Sequence, residues 1–566
     1  MTQQEPEHWL ARYANNYHTW SSVTTPNGQK AFQRPMGLVE YSFDTDGTEY
    51  GGRADLNTLL TLELSHDLPS KEDIRRRITL AWASLRLQHP MIMSRSVEDA
   101  QTGSKRRFII DVPGSREEAV NKLRAEIVWM DDYYEEVDAQ ELYEHCFNVG
   151  RIIEPENCLS KLHVLPLTRL PNGNFELRFL IVMAHQIADG LSGYNCYSHF
   201  IRILNMTPSD VEREIDVFGR REDIEKRLPP AQEDLYPKVE GNKARERWFW
   251  AIVRVLRHVR KTLPPTFVNP LRRETRLAEA VAYPPVFDKV FTYTRETRPP
   301  MNSGHIAVSL SPQASKLMID LCRSIKVSIG AGCFALAGLS MMDIYEKRYP
   351  DIPDRDRLPF TASFPLNPRA FFVTPTPAES CMLTFSEGIV MPFLPSELPV
   401  QARFKLIARH ANRELRMYQK RLRGGTLDQH SPNRLLANGY LLQTERVDSK
   451  LPPHRQTGVN PQGTLPASTG KYGATCGVSS VGSTASFFKT GTYALDAGSG
   501  FAADFRNLKT GVRARDNEFL VGSSTDEHGV VGFGVSYDRS AISVEAAEMW
   551  AETVKGLLEG KEVARL

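Results

Sequence analysis

Among the fourteen histidines of this 566-residue chain, one stands where chemistry can be done. His185 is followed four residues later by Asp189 and then by Gly190, in the segment Ala184-His185-Gln186-Ile187-Ala188-Asp189-Gly190. An imidazole, with an unperturbed pKa of about 6.5, can take up a proton at neutral pH, which is the work of a general base. A histidine–aspartate pair at this spacing arises by chance about once among so many histidines. The adjoining glycine and the elements on either side raise this pair above chance.

A base must be held still by rigid neighbours. Phe175, Leu177, Phe179, Ile181 and Met183 fall on alternate positions, with Glu176 and Arg178 opposite at the outer end. That is the pattern of a strand that becomes more buried as it proceeds. Leu191, Tyr194, Tyr197, Ile201 and Leu204 recur every three or four residues, the period of an amphipathic helix. His185 therefore belongs to a sharp turn between a strand and a helix.

The same grammar organises the rest of the chain. The first forty residues read as an extended arm that packs on the body, and Leu60, Leu62 and Leu64 alternate as a strand. Ser70, with Asp73 three residues on, opens a helix carrying Ile74, Ile78, Trp82 and Leu85, which Pro90 ends. Residues 115–146 read as helical and acidic, with Glu135, Glu136 and Asp138 on a solvated face. Proline pairs at 229–230, 264–265, 284–285 and 299–300 mark a crossover between lobes. Within it, a basic amphipathic helix over 243–261 could lie on a membrane or meet phosphates, but docking of its aromatic face on the protein is the expected arrangement. Beyond it Ile306, Val308 and Leu310 form a strand, Ser311-Pro312 opens a helix, and residues 329–349 form a buried helix. A strand over 360–364 delivers Asn367-Pro368-Arg369, and residues 403–422 form a basic helix. A loop rich in glycine, serine and threonine leads into a strand at 477–481, and Val531, Phe533, Val535 and Tyr537 form the closing strand before a helix capped by Ser543. Alternating strands and helices in both halves imply an α/β (α+β, two-layer) protein of two similar lobes with a groove between them.

Composition narrows the field further. Apolar and charged fractions of 41% and 24% are those of a globular protein, and a formal charge of +2 gives no global pull towards nucleic acid or anionic membrane. Seven scattered cysteines lack CxxC or metal-ligand spacing, so reduced thiols and no metal are expected. Residues 1–17 show no secretory signal, and the apolar run 329–342 is too short to span a bilayer. A cytoplasmic location follows as the expectation.

The strand, the turn His185 to Gly190, the helix ending at His89-Pro90, the crossover and the closing Tyr537-Asp538-Arg539 resemble the acyltransferase superfamily. That superfamily includes chloramphenicol acetyltransferase, the plant BAHD enzymes, peptide-synthetase condensation domains and fungal trichothecene-type O-acetyltransferases, the last being the nearest in look. The resemblance implies a pseudo-dimer of two chloramphenicol-acetyltransferase-like lobes with a central tunnel, here residues 1–206 and 303–566 joined by a crossover at 207–302. It implies His185 as general base and Asp189 as a structural residue turned towards an arginine, for which Arg369 is the candidate. The amide of Gly190 and the hydroxyls of Ser479, Ser480 and Ser483 are candidate oxyanion donors. No Gly-x-Ser-x-Gly elbow is present, so no covalent acyl-enzyme is expected.

The implied reaction is transfer of an acyl group, most simply acetyl, from acyl-CoA as co-substrate to a hydroxyl of a secondary metabolite, by a monomer with no bound cofactor. Arg403, Lys405, Arg409, Arg413, Arg416, Lys420 and Arg421 could meet coenzyme A phosphates, against the plainer reading of a solvated basic face. Ala184 stands where condensation domains usually carry a first histidine, and Ala503-Asp504-Phe505-Arg506 only partly matches a BAHD motif. A condensation-type enzyme served by a separate carrier protein is the alternative reaction, and an inactive binding protein of the same fold the alternative outside catalysis.

Overall fold

Residues with alternating burial become strands, and these strands gather into two large mixed sheets. The computed structural model describes residues 8–65, 70–98, 106–259, 264–294, 302–372, 376, 379–386, 388–420, 432–467, 475–495 and 500–559. The first six-stranded sheet runs Ala503–Val512, Leu56–Leu64, Phe175–Met183, Ser160–Val164 and Ile127–Trp129, with Thr168–Arg169 paired to the outer end of Phe175–Met183. Its central strand is half-buried at Phe175 and Glu176, and buried throughout from Phe179 to Met183. Helices Lys71–Gln88 and Gly190–Leu204 contribute Ile78, Trp82, Leu85, Phe200 and Leu204 to the apolar core of this lobe.

The second six-stranded sheet runs Ser303–Ser309, Val531–Asp538, Phe519–Thr525, Cys476–Ser483, Phe360–Ser363 and Ile389–Met391. Helices Pro312–Ser324, Ile329–Arg348, Val400–Lys420 and Val544–Gly556 bury Met318, Leu336, Ile407 and Trp550 in the core of the second lobe. Ser311 and Ser328 cap the first two of these helices through side-chain oxygens. Two lobes of the chloramphenicol-acetyltransferase type, each a mixed sheet backed by helices, are the architecture.

The early arm packs on the body as two strands: Ser21–Thr24 and Lys30–Pro35 join Arg106–Asp111 and Arg95–Glu98 in a four-stranded sheet. Three expectations change. Residues 115–146 are not one helix. The buried pair Ile127 and Met130 breaks it, Ile127–Trp129 adds to the first large sheet, and Asp138 caps the short helix Ala139–Cys146. The strand Ala503–Val512 comes from the second half of the sequence, yet it pairs with Leu56–Leu64 of the first lobe. Arg513, at its end, is fully buried and donates to the carbonyl oxygens of Gly51, Cys146, Val149 and Gly150, fastening that strand into the foreign lobe. Arg403 is also buried, ion-paired with Asp343 inside the second lobe, so it is no phosphate ligand.

The helix Lys243–Val259 docks through Trp250 and Val253, with Trp250 edge-on to Trp9 and Tyr13, while Trp248 stays exposed. Among the described residues no single helix is long and apolar enough to cross a membrane.

Candidate active site

The turn carrying His185 is built by the requirements of the helix that follows it. The first amides of a helix lack internal partners. Asp189 supplies one: its Oδ1 accepts from the Ser192 amide at 2.9 Å, while Ser192 Oγ accepts from the Asp189 amide at 2.7 Å. This reciprocal cap was legible as Asp189-x-x-Ser192, a signal the sequence reading passed over.

The other carboxylate oxygen crosses between lobes. Asp189 Oδ2 accepts from Arg369 Nη2 at 2.9 Å and from the Met382 amide at 3.1 Å. Arg369 also donates to the Ser380 carbonyl at 2.6 Å. Both charges are buried, at 3% and 9% side-chain exposure. With both oxygens accepting hydrogen bonds, Asp189 holds the turn and the second lobe together.

His185 is half-buried, its neighbours Ala184 and Gln186 fully so. The imidazole lies flat on Phe43, with ring centroids 3.9 Å apart and planes 2° from parallel. Its Nδ1 stands 3.8 Å from Cys381 Sγ. Gln186 Nε2 donates to Asp44 Oδ1 at 2.8 Å, tying the turn to the helix Leu38–Glu49 that carries Phe43. Phe43 and Cys381 were invisible to sequence reasoning. The segment 38–49 has weak helical signals, and Cys381 lies 196 residues from its partner with no motif around it.

Burial pushes the His185 pKa down to about 4, against smaller upward effects from the carbonyls of His185 and Ala188 and from Asp189. The ring is therefore neutral at pH 7. Of its two ring nitrogens, Nδ1 is turned towards Cys381.

Gly190 opens the helix Gly190–Leu204 and is exposed. A Cβ there would meet Val481 Cγ1 at 3.6 Å, an ordinary contact, so the fold does not demand glycine at this position. The serine candidates sit on the neighbouring strand Cys476–Ser483. Ser479 accepts through its carbonyl from Ser523 Oγ at 3.4 Å, Ser480 Oγ faces Gly330, and Ser483 Oγ accepts from the Ala485 amide at 3.3 Å. Val481, between them, is the residue that approaches Gly190; among the described residues no hydrogen bond joins these serines to His185.

Of the basic helix, Arg409, Arg413 and Arg416 line a surface cavity of about 470 Å³ with Lys326 and Asn412. Lys420 lies in the helix but its side chain, like Arg421, is outside the described residues. Asp504 is an anchor: it accepts from the amides of Gly491 at 2.6 Å and Tyr493 at 3.0 Å and pairs with Arg506. Among the described residues no group of three or more histidines, cysteines or carboxylates is placed to hold a metal.

Two lobes meeting at a histidine-bearing turn define a fold shared with a solved O-acetyltransferase. The chain is similar over its whole length to TRI3 trichothecene 15-O-acetyltransferase from Fusarium sporotrichioides, with a TM-score of 0.66, 11% identity and 99% of each chain covered. The condensation domain of the Monacolin K polyketide synthase MokA aligns at a TM-score of 0.48 and 10% identity, covering 93% of this chain and 96% of that one. The first condensation domain of the calcium-dependent antibiotic synthetase aligns at 0.49 and 11%, covering 93% and 95%. At these identities the likeness is one of fold. No model of a known protein family matches the sequence, and no curated protein sequence matches it.

Proposed function

We propose that this protein is an O-acyltransferase that moves an acyl group from a thioester, acetyl-CoA in the simplest case, to a hydroxyl of a polycyclic secondary metabolite. The observation that carries this reading is His185: a neutral imidazole, stacked flat on Phe43 and with Nδ1 beside Cys381 of the other lobe. An imidazole so placed has no proton to shed before acting, and its ring cannot swing away.

In this reading the acceptor oxygen attacks the thioester carbonyl as His185 Nε2 takes its proton. The tetrahedral intermediate then collapses, the C–S bond breaks, and His185 returns the proton to the departing thiolate. No acyl-enzyme is required, and Cys381 is an unsuitable nucleophile because burial raises its pKa well above that of a free thiol. Negative charge on the carbonyl oxygen calls for fixed donors. The Gly190 amide, at the positive end of its helix, is the first candidate, and the hydroxyls of Ser479 and Ser480 come next. Arg409, Arg413, Arg416 and Lys326 would meet the phosphates of coenzyme A.

The test is thiol release from acetyl-CoA in the presence of a panel of polycyclic alcohols. His185→Ala should lower turnover about a hundred- to ten-thousand-fold. Unchanged turnover in that variant overturns the assignment, and an acyl-loaded carrier protein in place of acetyl-CoA separates the two donor types.

A further inference from the structure

A helix on the surface of a globular protein ordinarily turns its charged side to water and its apolar stripe to the core. The helix Lys243–Val259 reverses that arrangement. Its inner side is fixed by Trp250 and Val253, buried in a cluster with Leu436 and Tyr440 of the helix Pro432–Lys450, and by Arg257, which pairs with Glu445 at 2.8 Å. At about 100° of rotation per residue, Ala244, Trp248, Ala251, Ile252, Val255 and Val259 fall together on the opposite side, and no polar or charged residue of the helix falls among them. Trp248 is 68% exposed, Val255 46% and Val259 64%, so this apolar side faces water.

The borders of the apolar side are positive. Arg245 falls on one flank and Arg247 on the other, both exposed, and no carboxylate pairs with either among the described residues. Glu246, the one acid of the helix, falls on the docked side. Arg254 and His258 are already engaged, donating to the carbonyl oxygens of Pro461 at 2.8 Å and Pro466 at 2.7 Å. A helix of 17 residues offers a face about 25 Å long and about 10 Å wide, or about 250 Å². A stable protein interface takes about 800 Å² from each partner. A second copy meeting this face with its own would also bring no carboxylate to Arg245 or Arg247. A lipid surface is free of both difficulties: a narrow apolar face sinks to the ends of the acyl chains, and anionic head groups lie level with the flanking cations.

We propose that the helix Lys243–Val259 docks this protein on anionic lipid bilayers, its axis in the plane of the surface. Trp248, Val255 and Val259 enter the boundary between head groups and acyl chains, and Arg245 and Arg247 stay among the head groups. Tryptophan suits that depth, because its ring lies in the apolar layer while its N–H reaches the hydrated one. The attraction is local to this helix, since a formal charge of +2 gives the whole chain no general pull towards an anionic surface. The docking face is built without His185 and stands whether or not the chain transfers acyl groups.

The test is flotation of the full chain with vesicles of phosphatidylcholine alone and of a two-to-one mixture of phosphatidylcholine and phosphatidylserine. Tighter binding to the mixed vesicles is expected. Trp248→Gln should weaken it about tenfold or more. Arg245→Gln and Arg247→Gln should each weaken it about fivefold on the mixed vesicles and leave phosphatidylcholine unaffected, while lysine at either position keeps the affinity. Brominated acyl chains should quench the tryptophan emission of the bound wild type more than that of Trp248→Phe, which reports the depth of that one ring. All these positions are exposed, so the urea midpoint of every variant should match wild type. No flotation with either vesicle, equal flotation with both, or flotation unchanged by Trp248→Gln overturns the proposal. A dimer that Trp248→Gln dissociates, in a chain that does not float, overturns it in favour of a second copy.

Discussion

Replacing Asp189 by asparagine separates a residue that holds the site from one that does its chemistry. The carboxylate faces three donors and nothing else: the Ser192 amide on Oδ1, and Arg369 Nη2 with the Met382 amide on Oδ2. A carboxamide fits the space but offers one acceptor oxygen and one NH2 group. If its oxygen takes the Arg369 side, its NH2 meets the Ser192 amide donor to donor; if it flips, two donors lose their acceptor. An unsatisfied buried donor costs about 1–3 kcal/mol, and a buried guanidinium stripped of its counter-charge brings the total to about 3–5 kcal/mol. The Ser380 carbonyl still accepts from Arg369, which favours the lower half of that range.

Urea unfolding followed by tryptophan fluorescence measures this loss, and Arg369→Gln alone and combined with Asp189→Asn completes a double-mutant cycle. A coupling energy of about 1–3 kcal/mol is expected, since each partner is costly mainly when the other remains. Turnover should fall along with stability while the pH profile keeps its shape. A variant as stable as wild type but more than a hundredfold slower would place Asp189 in the chemistry and refute the argument, as would a coupling below about 0.5 kcal/mol.

The depressed His185 pKa makes kcat/KM flat from pH 6 to 8 and lets it fall only as the pH approaches about 4, where the base becomes protonated. An apparent pKa at or above the unperturbed value of about 6.5 would contradict a desolvated ring. Gly190→Ala should leave the urea midpoint unchanged, because its Cβ meets only Val481 Cγ1 at 3.6 Å, yet it should slow turnover by crowding the exposed helix start. An equally active variant would remove Gly190 from the site. His89 and His163 are buried, with pKa values pushed down by burial to about 3 and about 4. The folded chain keeps both neutral while the unfolded chain takes up protons below about pH 6.5, so their contribution to stability is complete above that pH and is lost as pH falls towards 4. His163→Gln retains a donor for the Leu180 carbonyl without titrating, and should flatten the acid dependence of the urea midpoint.

What the sequence disclosed was local, and what it concealed was contact between distant segments. The strand before His185 and the helix after it were legible because each buries one side against its own lobe, leaving periods of two and of three to four. The meeting of Asp189 with Arg369 was reachable only through the family resemblance, since nothing in either segment points across 180 residues. Arg403 misled because a run of basic residues on one helix looks uniformly solvated, whereas the pairing with Asp343 that buries it depends on how two helices pack. The strand Ala503–Val512 has a partner 448 residues away in the register Leu508↔Leu60 (508 − 60), and strand pattern carries no address for such a partner. Phe43 was lost for a third reason: the helix Leu38–Glu49 is held by buried ion pairs and caps, Glu40 with Arg34 and Lys450 with Asp46, and not by an apolar stripe.

These hidden contacts decide whether the site works. His185 and Phe43 belong to the first lobe, whereas Cys381, Arg369 and the Met382 amide come from the second. A displacement of about 1 Å between the lobes would therefore open the gap beside Nδ1 and pull Asp189 from its guanidinium, enough to cost about a hundredfold in a positioned reaction. Two independent fastenings oppose that displacement. The strand Ala503–Val512 with Arg513 is sewn into the first lobe by a ladder that a bulge between Phe505 and Asn507 interrupts, and by a set of buried carbonyls. Asn148 of the first lobe donates to the Ser303 carbonyl and accepts from its amide at the start of the second. The exchanged strand is thus part of the site's precision even though none of its residues touches His185, and weakening Arg513 should disturb catalysis from a distance.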